Sequence, residues 1–216
     1  MRLHAAPNLV KIPHMGSTAG KALAPEMPTQ ELTEERSLAY AGMVIFLGSW
    51  AMMFGALFFS YAVLRISAVV WPAPGFADLP LVLPGISTLL LLASSRTLAL
   101  ALARLRCGQL AQCRNQLLGT IALAVAFVLL QCKVWTDLWK SGLRLDSGAY
   151  GGTFYVLTVF HILHVLVGLG LLARLVAPLL RRTPVAPGRV PAALTAMFWH
   201  FVDAVWLTTF VVVYVL

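Results

Sequence analysis

FWHFVDAVWLTTF, residues 198–210, sets His200 and Asp203 three positions apart inside an apolar run that continues to Leu216. Upstream, TFYVLTVFHILHVLVGLGLL, residues 153–172, does the same with His161 and His164. If both runs cross a membrane, four ionisable or polar side chains lie where such groups are costly and by default mark a site or a packing contact. The reading of the chain therefore turns on whether these runs are membrane spans.

Composition says that they are. The chain has 216 residues, 60% of them hydrophobic and 11% charged, against about a quarter charged in an ordinary soluble domain. So few charges cannot cover a water-facing surface. Five blocks reach the roughly 20 apolar residues that a spanning helix needs: 40–64, about 79–103, about 116–139, about 152–180 and about 192–216. Backbone polar groups in lipid must be satisfied within each segment, so each block is expected to be a helix. The blocks are too long for the strands of an outer-membrane barrel and lack their alternation. Short connections favour an antiparallel up-and-down arrangement. The expected fold is all-α, an integral membrane bundle of five transmembrane helices spanning 40–216, preceded by a flexible polar tail over 1–39. Pro84 and Gly85 predict a kink in the second helix.

Net charge is +8, but the Lys and Arg residues are spread over the connections, which argues against nucleic acid and for a topology signal. One set of ends holds ten of them, among them Arg36, Arg104, Arg114, Arg181 and Arg189; the other holds Arg65, Lys140 and Arg144. The positive-inside rule then puts the N-terminus in the cytoplasm and the C-terminus on the periplasmic side of a bacterial inner membrane. Arg96 and Arg174 are near enough to helix ends to snorkel. Lys133 lies deeper and needs a partner, for which Asp137 is spaced at i, i+4. Cys107, Cys113 and Cys132 fit no disulfide or metal spacing and read as inert.

The four polar residues admit three readings. Three imidazoles and a carboxylate could hold a metal ion. Histidines on facing helices could ligate haem. They could also hydrogen-bond across helices four and five, each pair forming one stripe, as polar pairs commonly do in membranes. The last is preferred, with no metal, cofactor or catalytic group assigned to this chain, because no thiolate or second carboxylate joins the set.

The same residues carry a resemblance. Phe198, Trp199, His200, Phe201, Val202, Asp203, Val205 and Trp206 are similar to the last helix of subunit III of the haem–copper respiratory oxidases. Thr153, Phe154, Leu157, Thr158, Phe160, His161, Leu163, His164, Val165 and Gly168 resemble its preceding helix. WPAPG at 71–75 and STLLLLASS at 87–95, with Ser87 in place of an asparagine, resemble a loop and a helix of the same family. Five helices fit its short bacterial form.

Two positions depart from the family pattern: Trp50 and Val134 stand where buried carboxylates are usual, so a role in proton uptake cannot be carried over. The resemblance implies a non-catalytic subunit beside subunits I and II, where the haem and copper reside. It also implies two helices set apart as one arm, with phospholipid in the cleft. The runner-up in the same superfamily is the membrane protein that accompanies nitric-oxide reductase. Gly42, Gly48, Ala51, Gly55, Gly168 and Gly170 would let helices approach closely, and Trp71, Trp135, Trp139 and Trp199 would anchor at the interfaces. An independent transporter is disfavoured, because the five blocks are unlike and show no internal repeat.

Overall fold

A computed structural model describes residues 29–68, 81–181 and 183–215. The WPAPG loop, with Trp71, lies outside the described residues, as do residues 1–28.

Among the described residues five α-helices follow in order: α1 Thr29–Ser67, α2 Val82–Arg106, α3 Leu110–Lys140, α4 Gly148–Val176 and α5 Arg189–Thr209. A 3-10 turn, Ala177–Leu180, extends α4, and a π-helical segment, Phe210–Val215, extends α5. Each helix is long and apolar enough to cross a membrane, so the chain is a multi-pass membrane protein. The first helix begins at Thr29, ahead of the apolar block that starts at Tyr40. Pro84 stands in the first turn of α2, which starts at Val82, where a proline interrupts no helical hydrogen bond, and the helix continues to Arg106.

Glycine sets the tight turns between helices. Gly142 takes φ +96°, a left-handed conformation that costs a side chain-free residue little, and Leu143 N–H reaches back to the Leu138 carbonyl at 3.0 Å. Chain reversal there, and at Gly108 after α2, makes α2, α3 and α4 successive antiparallel neighbours. The α2–α3 contact is the most extensive in the molecule; α4 packs on α3, and α5 packs on both α4 and α2, closing a four-helix bundle. Its core holds Leu91, Leu98, Leu117, Phe127, Phe154, Trp199 and Trp206, each 1% exposed or less.

Helix α1 lies on the flank of that bundle, against α4 and α5. Phe54 and Tyr61 are buried, whereas Ile45, Met52, Phe59 and Ile66 are each more than 70% exposed. One flanking helix on a four-helix bundle is not the two-helix arm that the family resemblance implies. The glycines separate in the same way. A Cβ at Gly168 would sit 2.8 Å from the Trp199 ring, so α4 and α5 do approach through a glycine. Around Gly42, Gly48, Gly55 and Gly170 there is open space within 4 Å, and these glycines support no close helix contact.

Candidate functional site

The two expected polar stripes do not meet. His161 is fully buried, but its ring lies against Trp206 (centroids 5.0 Å apart, 33° between planes) and edge-on to Phe127 (5.8 Å, 88°). Neither of its ring nitrogens has a hydrogen-bond partner. His164 turns instead toward α1. It meets the Trp50 ring edge-on at 4.2 Å and Phe54 at 5.1 Å. Its Nδ1–H donates to the Phe160 carbonyl one turn back at 2.6 Å, and Nε2 is left unpartnered. Trp50 thus covers His164 with an indole edge where the family pattern has a carboxylate. Val134, at the other departed position, is an ordinary core residue, 1% exposed.

His200 and Asp203 do belong together, through a residue of α2. The Ser95 hydroxyl donates to Asp203 Oδ2 and lies 3.0 Å from His200 Nδ1. Asp203 is 5% exposed and its Oδ1 has no partner. His200 is exposed on the outer surface of the α2–α5 pair. The i, i+3 spacing in α5 brings both side chains onto one face, as expected, but that face addresses α2 and not α4.

What ties the bundle together across helices is a set of indole and hydroxyl contacts that the ionisable residues obscured. Trp199 Nε1–H donates to Ser94 Oγ at 3.1 Å, and Trp206 Nε1–H donates to Thr88 Oγ1 at 2.9 Å. Trp199 and Trp206 are seven positions apart, two turns of one face, and Ser94 and Thr88 answer them in reverse order on the antiparallel α2. Trp135 donates to Thr158 at 3.2 Å between α3 and α4, and Thr97 shares a 2.8 Å bond with Thr120 between α2 and α3. Each hydroxyl is also tied to its own helix: Ser94 to the Leu91 carbonyl, Thr88 to Pro84, Thr158 to Phe154. A hydroxyl so satisfied exposes no stray donor to lipid and still accepts from an indole. The signal in the sequence was the recurrence of Trp and of Ser or Thr at two-turn intervals.

Three other expectations find their places. Trp199 is completely buried and anchors nothing at an interface, whereas Trp139 is 53% exposed and carries Arg144 over its ring at 5.5 Å. Lys133 pairs with Asp137 at 2.9 Å, with both side chains on the outer surface. The three cysteines are free, Cys113 buried and the other two exposed. Among the described residues, no group of three or more His, Cys, Asp or Glu is placed to hold a metal ion.

Five helices able to cross a membrane, stitched together by indole–hydroxyl bonds, make up the described residues of a multi-pass membrane protein. The chain belongs to the family of cytochrome c oxidase subunit III, whose pattern it matches over residues 30–216. It is 33% identical over 192 residues to cytochrome c oxidase subunit 3 of Latimeria chalumnae, covering 85% of this chain and 71% of that one. The same-named protein of Thermostichus vulcanus is 31% identical over 181 residues, 81% of this chain and 86% of that one. That of a Synechocystis species is 33% identical over 183 residues, with 81% and 74% covered. Membership in this family makes the chain one part of a multi-subunit oxidase. These relatives carry the oxidase name, so the nitric-oxide reductase reading is not favoured.

Proposed function

We propose that the chain is the non-catalytic third subunit of a bacterial haem–copper terminal oxidase in aerobic respiration. It would buttress subunit I, beside subunit II, in the inner membrane, with the haem and copper held by those partners. The observation that carries this is the family match over residues 30–216, which takes in the whole membrane region. The interior is in keeping with it: the core is filled with aromatic and aliphatic side chains, and the two histidines of α4 are packed against aromatic rings. We place the ends bearing Arg104, Arg181 and Arg189 in the cytoplasm, with residues 1–39 as a polar extension on that side, merging into α1 from Thr29, and 40–216 as the membrane domain. His161, His164, His200 and Asp203 act in packing and not as ligands: the first two fill space against aromatic rings, and the last two join α5 to α2.

Lipid retention belongs to the same reading. Two open grooves beside α1 suit acyl chains. One, of about 590 Å³, is lined by Phe58, Phe59, Tyr61, Ala62 and Ile66 and includes Arg65. The other, of about 400 Å³ toward the opposite end of the helix, lies among Met43, Leu171, Leu175 and Pro191 and includes Arg174. An apolar channel with one cation at its end matches the two halves of an anionic phospholipid.

Purification from native membranes through a tag on this chain tests the reading. Co-purification at equal stoichiometry with subunits carrying haem and copper supports it. Haem with non-haem iron would move the assignment to the reductase, and a chain that purifies without other subunits would end it.

A further inference from the structure

We draw no further inference here: the strongest candidate, the pocket of about 150 Å³ that Phe46, Trp50, Phe160, His164 and Phe198 line between α1, α4 and α5, opens on the outer surface of the bundle with the partnerless Nε2 of His164 itself covered, and nothing in the structure shows what fills it.

Discussion

His161 and Asp203 sit on neighbouring helices, and each is a costly group to bury, yet their surroundings have little in common. Around His161 everything is aromatic: Trp206 lies over the ring, Phe127 abuts its edge, and both nitrogens go without partners. Around Asp203 the contacts are polar, with Ser95 between it and an exposed His200. The first region uses an imidazole as a flat object that fills space. The second uses its hydrogen bonds, and reaches the surface. Position inside a membrane protein therefore does not identify a working polar group; the partners of its individual atoms do.

That contrast is most sharply tested at the residue on which the aromatic region leans. Trp199 is 0% exposed, packs into the gap left by Gly168, and donates to Ser94. Trp199→Ala should destabilise the bundle by about 3–5 kcal/mol, as truncation of a buried aromatic usually does. The measurement is thermal unfolding of the purified complex, followed at this chain. A loss under about 1 kcal/mol would mean that α4 and α5 are held by something other than this packing.

The next test changes sign. His161→Phe keeps a flat ring between Trp206 and Phe127 and removes two unpaired nitrogens. It should leave stability unchanged or raise it by about 1–3 kcal/mol, the penalty that a buried unsatisfied group carries. Loss of the chain from the complex in this variant would show that the imidazole nitrogens work, and would place both regions in one class.

The sequence made the five spans and their order plain, because run length and apolar content alone determine whether a segment spans a membrane. It also showed that His200 and Asp203 share a face, a consequence of helical repeat. It could not show which helix that face addresses. Two stripes on adjacent helices suggest a mutual contact, but rotation of α5 about its axis is set by Trp199 and Trp206 finding Ser94 and Thr88, and those bonds turn Asp203 toward Ser95. For the same reason Gly42, Gly48 and Gly55 looked like contact residues: a small residue permits close approach, but only a neighbour makes one. The flanking position of α1 leaves those glycines open.

In the polar region, Asp203→Ala should weaken the α2–α5 contact by about 1 kcal/mol, within the range measured for hydrogen bonds between membrane helices. It should also lower retention of the chain through a detergent wash. Asp203→Asn keeps an oxygen for Ser95 and should lose less. Subunit stoichiometry after washing reads the difference. If Ala and Asn variants behave alike, the hydrogen bond is not what the carboxyl group contributes.

The smallest effect is expected where a polar pair is confined to one helix. Lys133 and Asp137 are joined at 2.9 Å across one turn of α3, with side chains 57% and 42% exposed. Neither reaches another helix, so this pair should resemble His161 in being irrelevant to assembly, and the Asp203 region in being satisfied. A double-mutant cycle with Lys133→Ala and Asp137→Ala isolates the interaction. Its coupling should be about 0.5 kcal/mol or less, as for other exposed i, i+4 pairs, and should fall as salt is added. A coupling of about 2 kcal/mol that ignores salt would mean that the pair lies out of reach of water, under lipid or under another subunit.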